Sequence, residues 1–246
     1  MRRGFAFGVA LVVAVSLAAG FTSARAGGPA TVFAAASLAD VLPRVSPSSR
    51  FQFAGSNQLA LQIKRGAPAD VFASASPVYT QDLFRTGLLD KPRTFATNSL
   101  VLAVPRTNPA RIRTVYDLAR RPNLKLVVAG QKVPIGLYTR EVLKRLGLRR
   151  VLRNAVSQEP DVKGIVGKLA LGEADAGFVY ATDVRAASSR LIAIPLPKRS
   201  QPTVRYEVAV VKGSGSKNRE AALELVADLL STDGRRELAR AGFGLP

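Results

Sequence analysis

The 246-residue sequence contains no cysteine and no histidine. Without cysteine there is no disulfide framework, so packing alone has to supply the stability. Lacking both residues removes the commonest metal ligands, and with them the histidine-dependent acid–base and triad mechanisms. Chemistry falls to hydroxyls, backbone amides, carboxylates, lysines and arginines. Acidic residues are few: 17 Asp and Glu stand against 36 Lys and Arg, a formal +19. That excess admits nucleic acid, an anionic surface or a small anion as partner. Its densest run, "LKRLGLRRVLR" with Lys144, Arg145, Arg149, Arg150 and Arg153, lacks the interleaved aromatics of single-strand binders. It reads as a solvated helix face, and no nucleic-acid partner is expected.

Long apolar runs are also missing, except at the start. "MRR" forms a charged head, "GFAFGVALVVAVSLAAG" an apolar core, and "SARA" places small residues at Ala24 and Ala26. This is the pattern of a secretory signal peptide cleaved after Ala26. The run is short for a membrane anchor, no stop-transfer pattern follows, and a lipoprotein anchor would need a cysteine. Arg2, Arg3 and Arg25 carry three of the positive charges, leaving +16 on a mature chain of 220 residues. That length holds one large domain or two lobes of roughly a hundred residues each.

No linker rich in proline, glycine and serine cuts the mature chain in two. Strand-like and helix-like stretches alternate instead, favouring an α/β fold with largely parallel sheets. "TVFAAA", "RFQFA", "DVFASA", "LKLVVAG" and "AGFVYA" read as strands. "NQLALQIKRG" and "GLYTREVLKRLG" read as helices closed by Gly66 and Gly147. In "DVKGIVGKLALG", Val162, Ile165, Val166 and Leu169 repeat at helical spacing. "SLVLAVP" and "YEVAVVKG" are nearly all apolar, as strands buried on both faces would be. They are the candidate crossings between two lobes that share the chain: 27–101 with 207–246, and 102–206.

Four junctions place Ser37, Ser56, Ile135 and Val162 where a strand hands over to a helix start. Open α/β sheets bind ligands there, because unpaired N–H groups and the helix dipole favour an anion. Each junction alone has an ordinary explanation. Ser37 with Asp40 matches a capping box, Ser56 or Asn57 suits an N-cap, and Pro134 suits a first helical turn. Pro43 should stop or kink the helix begun at Ser37.

"VFAAASLADVL", "FAGSNQLALQIKRGAPADVFASAS", "VPIGLYTREVLKRLG" and "EPDVKGIVGKLALGEADAGFVYATDV" resemble, in order, the signatures of the periplasmic molybdate-binding proteins of ABC transporters. The likeness runs from about Thr31 to Gly242–Phe243, nearly the whole mature chain. It implies a type II periplasmic binding protein fold, two α/β lobes joined by crossing strands with the ligand cleft between them. Carried over by position, the oxyanion contacts would be the side chains of Ser37, Ser56 and Tyr180 and the backbone N–H groups of Ile135 and Val162. Ile135 stands where the family often has alanine. The resemblance further implies a periplasmic monomer that binds molybdate and tungstate, without direct ligands to the metal, for a membrane permease. No cofactor is expected. The alternative is another tetrahedral oxyanion, sulfate or phosphate.

An enzyme has little support. "SGSK", Ser214 to Lys217, matches S-x-x-K but lacks the companion S-D-N and K-T-G motifs. "GIVGKL" lacks the glycine spacing and terminal hydroxyl of a P-loop.

Overall fold

The computed structural model describes residues 28–213 and 216–246. The expected leader peptide therefore lies outside the described residues, as do Ser214 and Gly215 of the "SGSK" run.

Among the described residues, ten strands fall into two five-stranded sheets. In the first, β1 (Thr31–Ala35) lies between β2 (Arg50–Ala54) and β3 (Val71–Ser74), all parallel, with Val32 opposite both Phe51 and Val71. β4 (Arg93–Asn98) closes the far edge of that sheet. The second sheet contains β5 (Leu100–Pro105), β6 (Leu126–Ala129), β7 (Ala155–Glu159), β8 (Ala176–Tyr180) and β9 (Leu191–Pro195). Its order is β7-β6-β8-β5-β9, with β6 parallel to both β7 and β8. β10 (Val204–Val210) returns to the first sheet between β3 and β4, giving β2-β1-β3-β10-β4.

The sheets are mixed rather than largely parallel. β10 runs antiparallel to β3 and β4, and β5 antiparallel to β8 and β9. Both strands enter from the other sheet, which reverses their direction relative to the strands laid down by local βαβ units. The chain changes sheet at Ser99, the single residue between β4 and β5, and again through 196–203. "SLVLAVP" and "YEVAVVKG" thus flank the two crossings. Five strands within each sheet, with an antiparallel fourth member, make two lobes of one design.

Helices cover the sheets: α1 (Leu42–Val45), α2 (Ser56–Lys64) and α3 (Pro77–Arg85) in the first lobe, then α4 (Asp117–Arg120), α5 (Pro134–Arg145), α6 (Val162–Ala170) and α7 (Ala181–Ala186) in the second. The chain ends in α8 (Ser216–Leu230), packed on β10, and α9 (Thr232–Arg240). Val162, Ile165, Val166 and Leu169 are all buried, and at about 1.5–3 kcal/mol per buried side chain they hold α6 to its sheet. Gly66 and Gly147 follow the ends of α2 and α5 with φ of 84° and 71°, the left-handed closure that glycine allows. Alternate residues of β1 serve two cores. Val32 and Ala34 join the large cluster that spans both lobes, while Phe33 meets Leu59, Phe72 and Leu83 on the other face. Neither β4, β7 nor β9 was legible as a strand; β7, for one, is an edge strand alternating between exposed and half-buried residues.

Candidate functional site

The parallel strands of each sheet point their carboxyl ends at the other lobe, and the helix starts that follow meet there. β1 ends at Ala35 and runs into a single 3-10 turn, Ala36–Leu38, that buries Ser37. The Ser37 hydroxyl makes no capping bond; it lies 3.0 Å from the Tyr206 hydroxyl. The capping-box expectation therefore fails, and Asp40 instead accepts from Lys163 Nζ at 2.6 Å across the cleft. Nor does Pro43 end a helix. It occupies the first turn of the four-residue α1, where its missing N–H costs nothing. Ser37 is thus presented by a tight turn and not by a helix start.

Ser56 is the first residue of α2, and the N-cap is Gly55, not Ser56 or Asn57. The Ser56 hydroxyl accepts from the Ala75 N–H at 3.1 Å, which leaves its own hydrogen to be donated elsewhere. A Cβ at Gly55 would stand 2.5 Å from the Pro160 carbonyl oxygen of the other lobe, so only glycine allows this approach. In the second lobe, Pro134 opens α5 without an N–H, making Ile135 the first residue of the helix with an amide to offer. Asp161 caps α6, its Oδ1 accepting from Lys163 N at 2.8 Å and Gly164 N at 3.1 Å. That leaves Val162, the first helical residue, with its N–H outside the cap.

Tyr180 ends β8. Its ring is fully buried, and its hydroxyl is among the buried polar atoms that find no hydrogen-bond partner. Burial first, then the nearby Tyr206, raises its phenol well above the ordinary range, so it stays protonated and able to donate. An orphaned buried hydroxyl costs about 1–3 kcal/mol.

Ser37, Ser56, Ile135, Val162 and Tyr180 all line one small, tightly closed cavity between the lobes. Ala35, Ala36, Ala54 and Ala75 supply walls without bulk, which is the use of the alanine run before Ser37. Among the described residues no lysine or arginine lines it, and the one carboxyl that does, Asp161, has an oxygen committed to the α6 amides. Such a wall offers O–H and N–H donors and the positive ends of α2, α5 and α6. It suits a small anion rich in acceptors, held without a buried counter-charge.

The lobes touch around this cavity. Tyr138 donates to the Ala75 carbonyl at 3.2 Å, and Tyr79 donates to the Lys132 carbonyl. Lys163 joins Asp40 of the first lobe to the buried Asp183 of the second, 2.6 Å from one and 3.4 Å from the other. Burial opposes the Lys163 charge, but Asp183 and Asp40 outweigh it and hold the ammonium above its ordinary value. Burial likewise pushes the Asp183 carboxyl up to about 6, with Lys163 pulling it back part of the way. A carboxyl raised in the folded state stabilises fully below its unfolded value near 4, and that contribution is lost as pH rises through 6. Asp183→Asn lacks this step, so its melting temperature relative to wild type should climb by several degrees from pH 4 to pH 6.5. A difference constant across that range would mean that Asp183 is not the titrating group.

Sequence reading missed Asp161, Asp183, Lys163 and Gly55. Asp161 had a signal, an Asp directly before an apolar helical repeat; the others became visible only once the lobes met.

Residues 30–244 match the bacterial extracellular solute-binding proteins. The chain belongs to that family. Members of the family bind solutes and are not enzymes, as the missing catalytic motifs had suggested. The molybdate-binding protein ModA of Mycobacterium tuberculosis is 35% identical over 225 residues, covering 87% of this chain and 84% of that protein. Among solved structures, the periplasmic molybdate-binding protein of Azotobacter vinelandii aligns with a TM-score of 0.77 at 22% identity, over 88% of this chain and 99% of that one. The sulfate-binding protein SubI of M. tuberculosis aligns with a TM-score of 0.73 at 16% identity, over 88% and 86%. These two likenesses establish the two-lobed solute-binding fold and leave the ligand to the site itself.

Proposed function

We propose that the chain is the extracytoplasmic binding protein of an ABC importer and that it binds molybdate, and tungstate with it. One observation carries this reading. Five groups from separate strand-to-helix junctions converge on a single cavity that, among the described residues, no cationic side chain lines. The hydroxyls of Ser37, Ser56 and Tyr180 and the N–H groups of Ile135 and Val162 would take the oxygens of one tetrahedral dianion. The 35%-identical relative named for molybdate supports the choice of ion. Neutral donors on fixed dipoles suit a ligand with many lone pairs and no proton to give. Selection against sulfate would come from cavity size and oxygen placement. The two metal oxyanions are too alike in size for such a cavity to part them.

The leader-like residues 1–26 support export to the periplasm with cleavage after Ala26, and a membrane permease is the partner that would receive the ion. The protein would act as a monomer. Ligand contacts from both lobes favour closure, since the anion is fully coordinated only when they meet.

Isothermal titration of the mature protein with molybdate, tungstate, sulfate and phosphate tests the proposal. One site per chain for the first two, and much weaker heat for the others, is the expected result. Sulfate binding as tightly as molybdate would sink it. Ser37→Ala and Ser56→Ala should each weaken molybdate by about tenfold, the worth of a hydrogen bond to a charged acceptor at its lower end. Unchanged affinity would reduce the two serines to structural roles.

A further inference from the structure

Behind Ser37 a line of polar side chains leads out to the crossing at Ser99, and its hydrogen-bond directions can be assigned from one fixed end. The Ser99 N–H donates to a side-chain atom of Asn98 at 2.9 Å. A backbone N–H can only donate, so the atom it meets is the amide oxygen, and the Asn98 nitrogen must face the other way. That nitrogen has two hydrogens and two acceptors within reach: Thr182 Oγ1 at 2.9 Å and, at a longer 3.5 Å, the Tyr206 hydroxyl. Tyr206 is fully buried, and burial raises its phenol far above neutrality, so it keeps its proton. Accepting from Asn98, it has its proton free to give to Ser37 Oγ, 3.0 Å away. Ser37, accepting from behind, has its own hydrogen left for the cavity.

We propose that Asn98 and Tyr206 are positioning residues that set Ser37 as a donor, so that the site accepts a fully deprotonated oxyanion and disfavours one that carries a proton. The inference rests on the anion reading of the cavity. The chain Ser99–Asn98–Tyr206–Ser37 has one polarity, fixed by a peptide N–H at the point where the chain passes between lobes. A hydrogenphosphate would need an acceptor among its partners, and this chain denies it Ser37.

Asn98→Asp keeps an acceptor for Ser99 N–H but turns the opposite end of the side chain from donor to acceptor. Tyr206 would then donate toward position 98, Ser37 would donate to Tyr206, and a lone pair would face the anion. The added charge also repels the anion, so a double-mutant cycle with Tyr206→Phe separates the two effects. Titration at neutral pH with molybdate, and separately with phosphate, is the readout, with melting curves to confirm folding. Asn98→Asp should lose roughly thirtyfold in molybdate affinity in the wild-type background. Where Tyr206→Phe has cut the relay, it should lose only about threefold, the through-space effect of a screened charge. The preference for molybdate over phosphate should narrow only in the first background. Equal losses in both backgrounds overturn the inference while leaving the anion site standing. Asn98→Leu repeats the cycle without charge, with a coupling of about threefold expected and none fatal to the idea. A wild-type protein that binds none of molybdate, tungstate and sulfate fails the functional reading itself, and takes the relay with it.

Discussion

Tyr180→Phe should bind molybdate on the order of 10–100 times more weakly than wild type, yet melt at a higher temperature when no ligand is present. The two effects have opposite signs because the hydroxyl finds no hydrogen-bond partner among the described residues. Without ligand it is a buried donor with no acceptor among the described residues, and removing it relieves about 1 kcal/mol or more. On a chain of this size that is a rise of about 2–4 °C. With the anion bound, the same hydroxyl makes a hydrogen bond to a charged acceptor, worth about 1.5–3 kcal/mol. Melting must be measured on ligand-free protein, since a bound anion stabilises the fold by mass action and would mask the gain. An ordinary core tyrosine would give the opposite pattern, lower stability and unchanged affinity, and that result would remove Tyr180 from the site.

Val162→Pro should lower molybdate affinity on the order of tenfold or more while changing the melting temperature little. Val162 is the first residue of α6, a position where proline fits because the N–H has no helical partner. The residue before it, Asp161, is already extended at φ −157° and ψ −179°, as a residue preceding proline must be. The cap bonds from Asp161 to Lys163 N and Gly164 N do not involve the Val162 amide, so they survive. What the substitution deletes is one of the two N–H groups proposed to reach the anion. Val162→Ala keeps that N–H and trims the side chain, so it should retain most of the affinity at some cost in stability. If the alanine variant lost as much affinity as the proline variant, packing and not the amide would be the contribution of this position.

How much of this was legible in the sequence differs from element to element. The spacing of Val162, Ile165, Val166 and Leu169 announced α6 because helix period and burial coincide there. The apolar run of β5 and the nearly all-apolar "YEVAVVKG" that overlaps β10 announced strands buried on both faces. Ser37, Ser56, Ile135 and Val162 could be singled out in advance from their strand-to-helix junctions, and Tyr180 from the family resemblance. The helix after Ser37 could not be placed correctly. Its residues fit a capped helix by local rules, but the turn is tightened to 3-10 geometry and the serine is claimed by Tyr206, 169 residues away.

The sequence by itself determined the class of chemistry. No histidine or cysteine excludes the chemistry that depends on them, and small or backbone-exposing residues at successive helix starts point toward an anion, while the set of neutral donors is what the family resemblance implies. Only the tertiary structure decided which of those donors face one another, and which way their hydrogens run. The Lys163 bridge from Asp40 to Asp183, the contact of Gly55 with Pro160, and the line from Ser99 to Ser37 each join residues remote in the chain. Periodicity reports on neighbours along a helix or strand, because those spacings repeat. Contacts between two lobes depend on how the sheets come together, and no local repeat encodes that.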